Sequence, residues 1–405
     1  MSTIVATQTS CKVCGHTAWQ NIDTLTSGIW DKLAKALKRQ VLRFPIGQCQ
    51  HCSHVQVTIP YTDAIFGALY FSNTLEPDMW CDTPEGEKSP YEEMSAFFAS
   101  YIKMGAHIVD FGAGGGATLK HIDSQFKEFS IKLSSVDFHD HIQSNTVEHI
   151  TANLNQLDTI LPHFAKYPIN IAISTHVLEH IVEPVRYLTQ MSECLVEDGI
   201  IFIEVPDCSP DAFTDKLGVT NIVHGQHIHY YTKDSLKLIA EKAGLKIINQ
   251  QQLTTGNIPR LLLLLKKVTT AQISHHSAIK HSAKLAVEQR FSQYNSYLSA
   301  LFNRIQQELT QQEKVGLWGI GGDFYLLIQS YPSILKAIEN QQIMLYDYEL
   351  AGHTFAGQEI LSSTGLELVA NTVYIVPIYA PTRERMTKLS QNWHAQIIDP
   401  YSDFE

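Results

Sequence analysis

The sequence predicts an α/β protein built on doubly wound, mostly parallel sheets, and three features of its 405 residues carry that expectation. From about Tyr91 onward, short apolar runs alternate with amphipathic stretches, which is the rhythm of strand and crossover helix. A strand, a glycine turn and a helix follow one another twice, first at Ala106–Asp110 with Gly112, Gly114, Gly115 and Gly116, and again at Val315–Trp318 with Gly319, Gly321 and Gly322. Ahead of both lie two CxxC pairs, Cys11/Cys14 and Cys49/Cys52. The expected architecture is an N-terminal zinc-binding module (1–75), a central Rossmann-like domain (76–268), a connecting helix (269–313) and a second Rossmann-like α/β domain (314–405).

Composition narrows the function classes. With 44% hydrophobic and 18% charged residues the chain is an ordinary globular protein, not a disordered one. A formal charge of −11 repels phosphate backbones, so nucleic acid is not the expected partner. The longest apolar runs, such as Leu261–Leu265, are far shorter than the ~20 residues a membrane helix needs. The opening MSTIVATQTSCKV has neither the basic nor the apolar segment of a secretory signal, so a cytoplasmic location and no membrane partner are expected.

Seven cysteines in such a compartment do not read as a disulfide framework. Cys81, Cys194 and Cys208 are scattered and read as ordinary thiols, whereas Cys11, Cys14, Cys49 and Cys52 can place four thiolates tetrahedrally around one Zn2+. A redox CxxC is the rival, but neither pair opens a βαβ helix. A site closed by four thiolates has no open position, so the metal is expected to be structural. Between the pairs, Asp31–Arg43 spaces Leu33, Leu37 and Val41 on one helical face with Lys and Arg elsewhere. This predicts an amphipathic helix, either solvated or offering a basic patch to phosphate.

The central domain reads strand by strand. Ala106–Asp110 leads into the glycine turn, where backbone can approach a ligand without a Cβ in the way. Lys132–Val136 ends in Asp137, placed to accept both hydroxyls of a ribose or to cap a helix. Glu148–Ala152 leads to Asn153, suited to an adenine edge or to turn chemistry. Ile169–Ser174 runs into Thr-His176-Val-Leu-Glu-His180-Ile, a helix carries Leu188, Met191 and Leu195, and Gly199–Pro206 is the fifth strand. A helix Lys233–Ala243 stops at Gly244. Two final strands, about 246–253 and 260–267, are too close for a crossover and predict an antiparallel hairpin at the edge of a seven-stranded sheet.

Taken together, DFGAGGG, Asp137, STHVLEHI and the closing hairpin resemble a class I S-adenosylmethionine-dependent methyltransferase over about 100–268. The flanks, CKVCG to QCQHCSHVQV, Leu69-Tyr70-Phe71-Ser72 and the α/β pattern of 314–405, are similar to the zinc-containing sugar C-methyltransferases, which act on nucleotide-linked ketosugars. The resemblance implies S-adenosylmethionine as donor, held by Asp110, Gly112, Gly114, Asp137 and Asn153 with His176 near its methionine end, and a C-terminal domain that helps to hold a nucleotide-sugar. There Gly321 and Gly322 could approach a pyrophosphate or serve a tight turn alone.

Carbon methylation beside a ketone needs a base for the α-proton and a group to steady the enolate. The family's YHEHLSYFS segment falls on His224-Gly225-Gln226-His227 and the residues after it. Its Tyr is replaced by His224 and its Glu by Gln226, which cannot act as a base; His227 is retained, and His224 or His227 could abstract a proton at neutral pH. His180 matches a position implied in catalysis and equally one that supports the sheet edge; Tyr70 is a packing residue or a hydroxyl reaching the pocket. Arg260 is suited to an acidic partner, a phosphate or the surface. If no α-proton is removed, the acceptor is a hydroxyl or amine. The other readings are an RNA methyltransferase, a nucleotide-binding protein without catalysis, and an oxidoreductase using the second glycine turn. The oligomeric state is not expressed in the sequence.

Overall fold

The computed structural model describes residues 8–30, 34–70, 90–142, 144–212, 222–254, 258–268, 277–311, 314–363, 370–391, 393 and 395–402. They gather into two compact units, the first made of 1–22, 45–217 and 226–287 and the second of 23–44, 218–225 and 288–405.

The insertion between the CxxC pairs is not the expected helix. It folds as two long strands, β1 (Trp19–Trp30) and β2 (Arg39–Cys49), and β2 pairs antiparallel with β3 (Val55–Val57). Leu37 is buried and Val41 is 40% exposed, so the residues that mimic one helical face are separated; Leu33 lies outside the described residues. The reason is visible around them, since alternation in Asp-Thr-Leu-Thr and Val-Leu-Arg-Phe-Pro-Ile fits a period of two, and tertiary pairing outweighs a short helical pattern. Helix α1 (Asp63–Leu69) follows, its first turn capped by the Thr62 hydroxyl, which accepts from the Ile65 amide at 3.4 Å.

The central sheet follows the predicted order closely. Helix α2 (Pro90–Phe98) precedes β4 (His107–Phe111), α3 (Ala117–Gln125), β5 (Lys132–Asp137), β6 (Val147–Thr151), α4 (Leu161–Lys166), β7 (Ile169–Thr175), α5 (Pro184–Glu193) and β8 (Leu195–Pro206). Then come the short β9 (His229–Tyr230), α6 (Lys233–Lys242), β10 (Leu245–Leu253) and β11 (Arg260–Lys267). Strand order is β10-β11-β8-β7-β4-β5-β6, parallel from β8 to β6, with β11 antiparallel to both its neighbours. One expectation moves: Leu195 is not on the helix but pairs with Ile169 at the start of β8.

The Leu261–Leu265 run shows why this sheet is stable. Leu261, Leu263 and Leu265 join the core under α5 and α6 with Val109, Phe111, Ile201 and Ile203, while Leu262 and Leu264 join Ile108, Phe202 and the α2 and α3 residues Phe98 and Leu119. A strand buried on both faces has no polar side to alternate with, hence the unbroken leucines. Because the chain runs outward from β4 through β5 to β6 and then returns to β7 on the other side of β4, the loops after β4 and β7 diverge. Ligands bind in such a crevice at the carboxyl ends of the strands.

The second unit holds most of the long helix α7 (Lys284–Thr310), then β12 (Val315–Trp318), α8 (Gly322–Ser330), α9 (Pro332–Glu339), β13 (Ile343–Asp347), β14 (Thr354–Phe355), β15 (Gln358–Ser362), β16 (Thr372–Ile375), α10 (Ala380–Leu389) and β17 (Gln396–Ile398). Its order is β14-β15-β13-β12-β16-β17, parallel except for β14. Leu37 belongs to this unit's core, and residues 35–37 bond to Thr354 through the Leu37 amide and the Lys35 carbonyl, each at 2.8 Å.

Candidate functional site

The four cysteines of the CxxC pairs come together with all their sulfurs within 4.8 Å of one another. Cys11 and Cys52 Sγ are 3.6 Å apart, Cys14 and Cys49 Sγ 3.5 Å. A tetrahedron of thiolates at the usual Zn–S distance has edges of about 3.8 Å, so the donor set fits Zn2+. The two turns that present them are built alike. Cys11 N donates to His16 O and Gly15 N to Cys11 O; Cys49 N donates to His54 O and Ser53 N to Cys49 O, all at 2.8–2.9 Å. Each turn closes on a left-handed residue, Gly15 at φ 79° and Ser53 at φ 64°. Crowded thiols of this kind share charge unequally: the hydrogen bond from Cys52 brings Cys11 down to about 6, and the same contact pushes Cys52 upward. Cys194 and Cys208 are buried free thiols away from the cluster, and Cys81 lies outside the described residues.

At the crevice beside β4 the glycine turn is tightly specified. Gly112 has φ 86°, and a Cβ there would stand 2.3 Å from Val177 Cγ2. Gly114 donates its amide to Asp137 Oδ2 at 3.0 Å, and Phe138 N donates to Oδ1 at 2.6 Å, so the turn and the end of β5 are tied through one carboxylate. Asp110 is buried with its Oδ1 lacking a hydrogen-bond partner, and burial, reinforced by Asp137, pushes its carboxyl up to about 8. An orphaned acidic oxygen beside a side-chain-free turn, with a second carboxylate on the next strand, fits a ligand carrying an amine and a ribose. Asn153 lies exposed past β6, its Oδ1 accepting from Asn155 N at 3.0 Å, which leaves its amide NH2 as donor. Phe138, which the sequence reading did not single out, is 61% exposed directly after Asp137.

His176, expected near the methionine end of a donor, follows β7. Its backbone is left-handed (φ 53°) and its ring lies between two buried carboxylates, Nε2 at 3.0 Å from Glu204 Oε1 and Nδ1 at 3.4 Å from Glu179 Oε1. Burial opposes its charge, but the bonds to Glu179 and Glu204 prevail and raise it to about 9. Arg260 answers Glu204 at 3.5 Å and Glu93 at 3.2 Å, so of its three candidate roles it takes the acidic partner.

The expected acceptor residues of the first unit gather around Glu179. Its oxygen Oε1 lies 3.8 Å from His180 Nε2 and 3.9 Å from His227 Nε2, and both its oxygens are buried. His180 Nδ1–H is shared between the Gln226 carbonyl at 3.0 Å and the Tyr70 hydroxyl at 3.1 Å, and Nε2 faces Glu179. The rings of His180 and His227 meet edge-on at 4.9 Å. Gln226 spends its side-chain amide on Leu69 O at 3.3 Å, fixing the end of α1 that carries Tyr70. Glu179 was missed by sequence reasoning, although an acid inside the apolar Val-Leu-Glu-His-Ile run was a signal that it is buried for a reason.

His224 belongs to the second unit. It lines a cleft of about 380 Å3 together with Arg290, Tyr294, Asp323, Gln329 and Tyr379. Tyr294 donates to Asp323 Oδ1, Ile378 N donates to Asp323 Oδ2 at 2.8 Å, and the Arg290 guanidinium lies 4.1 Å over the Tyr294 ring. Gly321 and Gly322, at the start of α8, have open space where a Cβ would stand. Asp347 ends β13 as Asp137 ends β5, accepting from the Ile320 amide at 2.8 Å.

Comparison with known proteins bears on the first unit. Residues 88–250 match the family model described as a methyltransferase domain. The chain carries a methyltransferase domain. Its seven-stranded sheet with the antiparallel edge pair is the class I fold of S-adenosylmethionine-dependent methyltransferases. No curated protein matches the chain. Among solved structures, the 1,6-didemethyltoxoflavin-N1-methyltransferase of Burkholderia thailandensis is 17% identical with TM-score 0.40, covering 55% of this chain and 98% of its own. A putative methyltransferase from Bacillus halodurans C-125 is 14% identical (TM-score 0.36, 44% and 99% covered). A putative sarcosine dimethylglycine methyltransferase from Galdieria sulphuraria is 10% identical (TM-score 0.35, 44% and 85% covered). Among the described residues no helix is long and apolar enough to cross a membrane.

Proposed function

We propose that the methyltransferase domain transfers a methyl group from S-adenosylmethionine to a nucleotide-linked sugar, at a carbon beside a ketone. The observation that carries the reading is the Glu179–His180–His227–Tyr70 cluster, borne by the same first unit as the glycine turn and Asp137. Asp110, Gly112, Gly114, Asp137 and Asn153 would hold the donor, with the Phe138 ring against its base. When bound, the donor supplies a methyl group on a sulfonium, ready for in-line displacement.

The remaining work falls to the chain's own side chains. His227 Nε2 takes the α-proton, and the Glu179 carboxylate at 3.9 Å steadies the imidazolium that results. The Tyr70 hydroxyl, oriented by His180 Nδ1, donates to the acceptor's carbonyl oxygen as charge moves onto it. Gln226, amide-bonded to Leu69, takes no proton. The absent family carboxylate is thus replaced from a different segment. Within the second unit itself, the open glycines at the start of α8 suit a phosphate group. Cys11, Cys14, Cys49 and Cys52 would hold Zn2+, which would serve to fold the N-terminal module.

Calorimetry with S-adenosylmethionine on the wild type and Asp137→Ala tests the donor half. Micromolar binding that disappears in the variant supports the site, and no binding to the wild type overturns it. Methyl transfer to a panel of nucleotide-sugars then tests the acceptor half, where His227→Gln should lower turnover about 100-fold or more.

A further inference from the structure

Five acidic and basic side chains of the first unit run in contact: Glu93 on α2, Arg260 on β11, Glu204 on β8, His176 at the end of β7, and Glu179 in the turn after it. Glu204, Glu179 and Arg260 are each no more than 3% exposed, so these charges interact with little screening by water. His176 is the hinge of the series. It touches both inner carboxylates, and it does so from a left-handed backbone that a side chain with a β-carbon adopts only at a cost. Beside His180 in its own turn, Glu179 faces His227, Tyr70, Tyr187, Tyr231 and Cys208, and burial pushes Tyr187 and Tyr70 away from ionisation. Tyr231 donates its hydroxyl to Leu178 O at 2.9 Å, and burial pushes both Tyr231 and Cys208 away from ionisation. His176 is therefore the cation that answers Glu179.

We infer that His176 is a positioning residue for the methyl-transfer base: as the fixed counter-charge to Glu179, it keeps the carboxylate from drawing a proton onto His227, so that His227 stays ready to accept one from the acceptor. The inference rests on the assignment of His227 as base. Its physical content is a trade. A lone buried carboxylate 3.9 Å from His227 would favour the imidazolium and fill the base before any substrate arrived. A cation 3.4 Å from the same oxygen cancels much of that pull, yet the carboxylate remains to steady the proton once it is transferred.

The test needs no acceptor. Full-length, zinc-loaded protein carrying 13C-labelled histidine is titrated by NMR, with the His227 ring signal identified by its loss in His227→Gln. In His176→Asn, where Asn tolerates the left-handed backbone, the His227 ring should release its proton at a pH about one unit higher than in wild type, a tenfold change in the proton equilibrium. An unchanged or lower midpoint overturns the inference. Should His176→Asn fail to fold, Glu204→Gln gives the second arm: it removes one of the two carboxylates holding His176, so the His176 proton should leave at lower pH and the His227 midpoint should rise with it. Unchanged midpoints for both rings in that variant overturn the inference equally. S-adenosylmethionine calorimetry on the same samples separates the outcomes, because retained donor binding with an unmoved His227 defeats the counter-charge alone, while absent donor binding in wild type defeats the methyl-transfer reading beneath it.

Discussion

At the scale of single residues the donor crevice stores its own cost. Asp110 is a buried acid raised to about 8, so the folded chain holds a proton that the unfolded chain has already released above its ordinary value of 3.8. Folding stability conferred by this group is therefore present below that ordinary value and falls as pH climbs toward 8. Asp110→Asn keeps the shape and removes the proton, so thermal unfolding of the donor-free variant should vary less between pH 5 and 8 than that of the wild type, while donor affinity drops. A steeper dependence in the variant would contradict this account. Gly112→Ala is the harsher change. It meets Val177 at 2.3 Å in a backbone region hostile to alanine, and a loss of about 1–3 kcal/mol in chemical denaturation is expected along with donor binding.

At the scale of elements, the two cysteine turns are the same object made twice. Cys-Lys-Val-Cys-Gly-His and Cys-Gln-His-Cys-Ser-His share hydrogen bonds residue for residue, yet the left-handed position is glycine in one and serine in the other. Ser53→Gly should leave zinc content at about one ion per chain and stabilise the module by up to ~1 kcal/mol, read from resistance to chelator-induced unfolding. Cys49→Ser should abolish zinc retention in metal analysis.

Elements also show what the sequence disclosed and what it hid. The strands of both sheets were legible because runs such as Ile169–Ser174 and Leu261–Leu265 are bounded by glycine, proline or charge, and a buried strand leaves no other reading of such runs. The β1–β2 arms were hidden because Leu33, Leu37 and Val41 recur every four residues by coincidence, while the pairing that decides the matter comes from outside the segment. Glu179 was obscured for a related reason. Its neighbour His227 lies 48 residues further along the chain and meets it at 3.9 Å only across space. Contacts between segments 25 to 80 residues apart leave no trace in local spacing.

At the scale of the whole molecule, pH should act on several groups in one direction. His176, raised to about 9, gives stability that is complete below its ordinary value of 6.5 and is lost as pH rises through 9; Asp110 loses stability over the range ending near 8. Glu204 is held below its usual range by His176 and Arg260, after overcoming burial, so it penalises strong acid instead. The donor-free chain should unfold at a temperature ~3 °C or more higher at pH 6 than at pH 9 by circular dichroism, and a reversed order would refute the charge assignments.

The N-terminal sheet is completed by a strand from far downstream. Val55 pairs with Tyr230 and Gln56 with His229, and His54 Nε2 meets His229 Nδ1 at 2.9 Å across 175 residues of chain. On a ribosome adding about 5–20 residues per second, the cysteine turns emerge on the order of 10 s before β9 exists. During that interval β3 is an open edge, and its Val55 and Val57 have no cover. The time the ribosome needs to reach β9 therefore sets how long a sticky edge persists, and the module's yield becomes a matter of timing as much as of equilibrium.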